Sequence, residues 1–187
     1  MGGSFNPAHE GHRYISMEAI KRCRLNKVIW FVTPQNPLKT NQAQNHNDRI
    51  NLAKKVSASR DIIVSPFEQI FTKHYTIELV KRLKQMYPNI DFYYIMGADN
   101  ATTFHKWKSW KEIITTLPLI IFDRGNFHKN FSSSKLCQNF RGVICNSLSS
   151  KTWPTSFWHF IKIRKNPQSS TKIRYDQNIK QRQSTDL

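Results

Sequence analysis

Two spacings of apolar residues alternate along the chain. From Glu10 to Arg24, Ile15, Ala19, Ile20 and Cys23 recur at helical intervals and predict a helix. Val28-Ile29-Trp30-Phe31-Val32 is a continuous apolar run ended by Thr33-Pro34, which suits a strand buried on both faces. After a polar loop to Asn47, Asp48 to Ser57 reads as a helix with Ile50, Ala53 and Val56 inward, capped by Asn47 or Asp48. Asp61 to Ser65 predicts a strand. Thr76 to Tyr87 predicts a helix with Leu79, Val80, Leu83 and Met86 as its stripe, closed by Pro88. Phe92 to Met96 is a third strand, stopped by Gly97; Lys108 to Leu117 is a helix carrying Trp110, Ile113, Ile114 and Leu117, and Pro118 to Phe122 is a fourth strand. Beyond Arg124 the periodicity weakens, leaving Val143 to Cys145 and Phe157 to Ile163 as strands and Ser170 to Arg182 as a polar helix. Strands alternating with helices predict an α/β domain on a parallel sheet. It occupies residues 1–175, and 176–187 form a polar, basic tail expected to fray.

Composition narrows the class. Five Trp, twelve Phe and 39% hydrophobic residues supply a real core, which excludes disorder throughout. The longest apolar runs fall far short of the roughly 18 residues that span a bilayer, and no signal peptide is evident. Cys23, Cys137 and Cys145 have no metal-site spacing and read as reduced thiols of a cytoplasmic protein. With 29 Lys+Arg against 12 Asp+Glu, the formal charge of +17 attracts anions, from nucleic acid to small phosphates.

The chemistry concentrates in Gly2-Gly3-Ser4-Phe5-Asn6-Pro7-Ala8-His9-Glu10-Gly11-His12. The glycines allow close backbone approach, and the segment delivers the chain to a helix N-terminus, where free N–H groups and the helix dipole favour phosphate. His9 and His12, three apart in the first turn, lie on the face that meets such an anion and can stabilise charge developing on it. The plain alternative is a glycine-rich turn before a helix that happens to hold two histidines.

These residues carry a resemblance. Gly-Gly-Ser-Phe-Asn-Pro-x-His-x-Gly-His resembles the signature of the nucleotidyltransferase superfamily's adenylyltransferases, most closely the bacterial nicotinate-nucleotide adenylyltransferases. Asn36-Pro37-Leu38-Lys39 is similar to that family's substrate loop. Gly97-Ala98-Asp99 with Phe104, Trp107 and Trp110 resembles its Gly-x-Asp…Phe-x-x-Trp block, and Ser169-Ser170-Thr171-Lys172-Ile173-Arg174 resembles its Ser-Ser-Thr-x-Ile-Arg motif. The blocks stand in the family's order and span nearly the whole chain. They imply a Rossmann-like, doubly wound parallel sheet of the nucleotidyltransferase type.

The resemblance also implies adenylyl transfer from ATP to nicotinate mononucleotide, with Mg²⁺ on the ATP phosphates and no protein metal ligands. By the same resemblance His9, His12 and Arg174 are catalytic. Gly2, Gly3, Ser4, Phe5, Gly11, Gly97, Asp99, Ser170, Thr171 and Ile173 bind ATP, and Asn36, Lys39, Thr76, Trp107 and Lys108 bind the mononucleotide. Read locally, several have simpler roles: Ser170, Thr171 and Asp99 can cap helices, Thr76 can cap the helix it begins, and Lys39 and Arg174 can be ordinary solvated cations. Trp110 fits the core stripe of its helix. No Ser/His/Asp, Cys/His or Walker-type constellation is evident, as suits a transfer driven by positioning.

Three departures from the family's pattern stand out. The glycine pair follows a central first strand there, whereas here Met1 abuts Gly2. The first strand is therefore expected to be missing, through a misassigned start codon or truncation, and a chain truly starting at Met1 is expected to fold and act poorly. A reading of the genomic DNA upstream decides this point. Phe122-Asp123-Arg124-Gly125 lacks a proline frequent at that turn, and the carboxyl end is longer and more basic. Competing readings are an adenylyltransferase for nicotinamide mononucleotide or phosphopantetheine, a basic nucleic-acid-binding module, and a noncatalytic scaffold. No specific nucleic-acid motif supports the second of these, and the intact histidines oppose the third. Oligomeric state is not legible.

Overall fold

Strand and helix periodicities of the sequence resolve into two parallel sheets in a computed structural model that describes residues 1–34, 45–66, 75–123, 128–148, 157–164, 168 and 170–176. The first sheet has the order β1-β2-β3, with β1 Gly2–Gly3, β2 Val28–Val32 and β3 Ile62–Ser65. The second has the order β4-β5-β7-β6, with β4 Tyr94–Gly97, β5 Leu119–Asp123, β6 Gly142–Cys145 and β7 Trp158–Lys162. All pairings are parallel. The helices are α1 Glu10–Cys23, α2 His46–Ser57, α3 Thr76–Met86, α4 Ala98–Thr102, α5 Trp110–Thr116, α6 His128–Ser132 and α7 Lys135–Asn139, with a 3-10 turn at Phe104–Lys106 and a last helical segment over 170–176.

Period-two alternation in the strands explains the layering. One set of side chains, Val28, Trp30, Val32, Ile95, Ile120, Phe122 and Ile161, packs with Ile15, Ala19 and Cys23 of α1 and Ile50 and Ala53 of α2. The opposite set, Tyr94, Met96, Leu119, Ile121, Trp158 and Phe160, packs with Ile77 and Val80 of α3 and with Ile113, Ile114, Phe131 and Leu136. Helices thus cover both faces, as near-continuous apolar strands require. The first of these cores includes residues of both sheets. Trp30 is fully buried, stacks on Phe5 at 5.0 Å and donates from Nε1 to Ser16 Oγ at 2.8 Å. Truncating such a side chain costs about 3–5 kcal/mol.

Several expectations are corrected. The glycine pair, expected to follow a strand, itself forms one of two residues: Gly2 and Gly3 pair with Phe31 and Val32, and the Met1 ammonium donates to Ile29 O at 2.9 Å. Two glycines have no apolar pattern to betray a strand. Helix α2 begins at His46, two residues early, because Asn45 is its cap and accepts from Asn47 N at 2.9 Å. Neither Asn47 nor Asp48 fills that role. Along α3, Ile77 is buried and Met86 is exposed, since the helix packs its N-terminal end hardest. Strand β4 starts at Tyr94 and runs through Gly97, which then serves as the N-cap position of α4. The short α4, α6 and α7 lack the length to show a period. The Arg124-Gly125 turn and residues 177–187 lie outside the described residues.

Between the edge of β2 and the edge of β4 runs a cavity of about 890 Å³, lined by Met1, Val28, Ile29, Phe31, Tyr94 and Ile95 among others. Met1, just ahead of β1, stands at its wall.

Candidate active site

The glycine pair ends β1 at the carboxyl edge of the sheet, and the turn that follows is fixed from three sides. Thr33 donates from N and Oγ1 to Gly3 O at 2.9 and 3.2 Å. Phe5, at φ 44°, is held in the left-handed region by its burial and by contacts with Trp30 and His12; a non-glycine residue stays there only where its surroundings over-determine it. The third side is the chain's far end, where Ser170 Oγ donates to Pro7 O at 2.9 Å and Arg174 Nη1 donates to Asn6 O. Gln168 Oε1 accepts from Glu10 N at 3.1 Å. Arg174 Nη2 also donates to Thr171 Oγ1 at 3.3 Å.

Helix α1 opens on a pair of histidines that cap each other's backbone. Gly11 N donates to His9 Nδ1 at 3.0 Å, and His9 N donates to His12 Nδ1 at 3.2 Å. A ring nitrogen that accepts from an N–H carries no proton, so in each neutral imidazole the proton sits on Nε2. Both rings therefore present an Nε2–H donor, with centroids 3.9 Å apart. Gly11 is required by this packing: a Cβ there would stand 2.8 Å from the His9 ring and 3.2 Å from Gln168 O. Among the sequence-predicted catalytic and ATP residues, the structure thus gathers Gly2, Gly3, Ser4, Phe5, His9, Gly11, His12, Ser170, Thr171 and Arg174 around one helix start. Ile173 is half-buried in the same final segment.

A second group forms at the start of α3. Lys108 Nζ lies 4.5 Å over the Tyr75 ring, next to Thr76 in the chain. Trp107 is half-buried, edge-on to Tyr94 at 5.9 Å and tilted on Phe104 at 5.2 Å. Thr76 does not cap its helix; Tyr75 holds that position without a side-chain bond. Gly97 ends β4, and Asp99 lies in the first turn of α4, its carbonyl accepting from Thr102 Oγ1 at 2.7 Å. Asn36 and Lys39 lie outside the described residues. Trp110 is half-buried against Phe104 and Phe140, in keeping with its place in the core stripe.

Sequence reasoning missed Arg49. It is fully buried, and its guanidinium donates to the carbonyls of Ser4, Thr33 and Pro34. Burial lowers its pKa. The signal was available: Arg49 stands on the inward stripe of α2, one turn before Ala53, where a charge needs a reason. Among the described residues no cluster of three or more His, Cys, Asp or Glu could hold a metal, and no helix is long and apolar enough to cross a membrane.

Parallel sheet, glycine turn and histidine-capped helix place the chain in the cytidylyltransferase-like family, whose model matches residues 1–175. More narrowly, it belongs with the nicotinate-nucleotide adenylyltransferases. A protein of Rhizobium johnstonii named probable nicotinate-nucleotide adenylyltransferase is 40% identical over 92% of this chain and 89% of its own. One of Brucella suis with the same name is 33% identical over 92% and 91%. In fold, the chain is similar to a Plasmodium falciparum nicotinic acid mononucleotide adenylyltransferase solved with NaAD, at TM-score 0.67 and 19% identity, over 93% of this chain and 80% of that one.

Proposed function

We propose that the protein transfers the adenylyl group of ATP to nicotinate mononucleotide, giving nicotinate adenine dinucleotide and pyrophosphate, a step of NAD biosynthesis. The observation that carries this reading is the reciprocal histidine cap, two Nε2–H donors at a helix N-terminus beside a glycine turn. The relatives' names supply the substrate. An oxygen of the mononucleotide's 5′-phosphate bonds to the α-phosphorus of ATP while the bond from that phosphorus to the bridging β-oxygen breaks, and pyrophosphate leaves with the electron pair. No protein nucleophile is needed. His9 and His12 donate to phosphate oxygens and stabilise the charge that grows on them. Arg174, Ser170 and Thr171 close on the phosphates from the final helical segment, and the amides of Gly2 to Phe5 with Gly11 and Ile173 complete that side. Gly97 and Asp99 take the nucleotide's ribose end. Trp107 stacks on the pyridine ring, the Lys108 main-chain N–H meets its carboxylate, and Thr76, Asn36 and Lys39 complete the mononucleotide pocket.

Mg²⁺ is expected to arrive on the triphosphate and neutralise its charge, retaining water as this ion prefers. We place the reaction in the cytoplasm, where free thiols such as Cys23, Cys137 and Cys145 persist. Pyrophosphate release tests the reading. Turnover is expected with nicotinate mononucleotide ahead of nicotinamide mononucleotide and phosphopantetheine, and none with any of the three would overturn it.

A further inference from the structure

A buried cation with no place in the scheme above sits behind the glycine turn. Arg49 is 1% exposed. Its Nη1 donates to Ser4 O at 2.5 Å and to Thr33 O at 2.8 Å, and its Nη2 donates to Pro34 O at 2.6 Å. Helix α2, which carries it, is anchored to the same strand end by His46 Nε2, 2.7 Å from Val32 O. One guanidinium therefore ties together the turn after β1 and the exit of β2.

We propose that Arg49 is a positioning residue for adenylyl transfer, holding the turn over residues 2–7 in the orientation that presents its amides and the histidine cap to phosphate. The proposal rests on the adenylyl-transfer reading. A trans peptide is planar, with C=O and the next N–H on opposite sides. Drawing Ser4 O towards α2 therefore turns the Phe5 N–H away from α2. Phe5 is also the residue with φ 44°, a conformation that must be imposed from outside. Its ring packs on His12 at 4.7 Å. The chain of contacts runs from Arg49 through Ser4 and Phe5 to His12.

A guanidinium is suited to this task because its planar fork serves several carbonyls at fixed angles, and it remains charged when buried. A lysine ammonium in the same place keeps the charge but not the fork. The geometry thus separates two roles, filling space and setting angles.

The test compares Arg49→Lys and Arg49→Ala with Ile50→Ala, a core truncation on the same helix, all assayed well below their melting temperatures. Arg49→Lys is expected to lower kcat/KM about 10-fold and Arg49→Ala about 100-fold, the scale of a small misplacement of reacting groups, with part of the Arg49→Ala loss restored by added methylguanidinium. Ile50→Ala should lose stability and keep its rate. Amide exchange at Phe5 should quicken in Arg49→Lys and not in Ile50→Ala. Arg49 variants that match Ile50→Ala in rate and in Phe5 exchange overturn the inference. Wild-type protein that releases no pyrophosphate overturns the adenylyl-transfer reading itself, and the Phe5 exchange then still decides whether Arg49 holds the turn.

Discussion

The two sheets are built to different standards. Strand β5 is buried along its whole length and pairs with β4 over four residues and with β7 over five, and β7 is packed so closely on β6 that any Cβ at Gly142 would collide with the Trp158 ring at 1.9 Å. Strand β1 pairs over two residues, and a cavity of about 890 Å³ opens ahead of it beside Met1, between β2 and β4. Yet the proposed phosphate site grows from the poorer strand. What the ladder does not supply there, side chains do: Thr33, Arg49, Ser170 and Arg174 each bond a carbonyl of residues 3 to 7 or of the strand beside them. The proposed mononucleotide group at Thr76, Trp107 and Lys108 rests instead on the well-built half, through Tyr94 and Phe104. A loop held by side chains is adjustable by single substitutions, whereas a site resting on a packed sheet fails mainly when its own contact residues change.

The largest effect should come at the histidine cap. His12→Ala is expected to reduce turnover by about 100- to 1,000-fold, the loss typical of a missing charge-stabilising donor. His9 has a second role as N-cap, so His9→Ala should also lose about 1 kcal/mol of stability. His9→Asn separates the two: an asparagine caps well, so the melting temperature should hold while turnover falls. Retained turnover in His9→Asn would reduce His9 to a cap. On the other half, Trp107→Ala is expected to raise KM for the mononucleotide about 10-fold, the worth of a stacked ring, and to leave KM for ATP alone. Trp107→Phe should recover most of the loss. A KM for ATP that rises equally would break the contrast between the two regions.

The cavity gives a third handle. Lengthening the chain before Met1 with five aliphatic residues continues β1 past Ile29 and Val28, in the space between β2 and β4. This is expected to raise the melting temperature by several degrees, since each kcal/mol is worth about 2–4 °C in a chain of this size. A Gly/Ser extension of equal length should raise nothing. Equal effects of the two would show that the space does not accept a strand.

The sequence made legible what repeats or what is chemically unusual. Helices α1, α2 and α3 and the apolar strands declared themselves because burial on one stripe or on both faces leaves a period. The histidine pair stood out because residues of that type at a helix start suit an anion, and the Ser170 to Arg174 block through its resemblance to a family motif. The rest was illegible for definite reasons. Gly2–Gly3 has no side chains to form a pattern, and α4, α6 and α7 are too short for one. Arg49 acts on carbonyls 15 to 45 positions away, and a spacing rule sees a few residues. The reciprocal cap lay between: His9 and His12 were visible as a pair, but that His12 accepts from the His9 amide and His9 from that of Gly11 follows from the turn's geometry.

The smallest effect, a dependence of stability on pH, concerns the well-built sheet. His159 lies in β7, fully buried, in register between Ile120 and Val143. Burial pushes its pKa below the ordinary value near 6.5. The unfolded chain therefore binds a proton at higher pH than the folded one does. The stability that goes with a neutral His159 is complete above the unfolded pKa and drains away as pH falls from about 6.5 towards the lower folded value. Thermal melts from pH 8 to pH 5 should show a level melting temperature down to about pH 7 and a decline of a few degrees below it. His159→Gln has no proton to gain in that interval, so its decline over the same range should be shallower than that of the wild type even where its melting temperature is lower throughout. Parallel curves would show that the acid sensitivity does not come from His159.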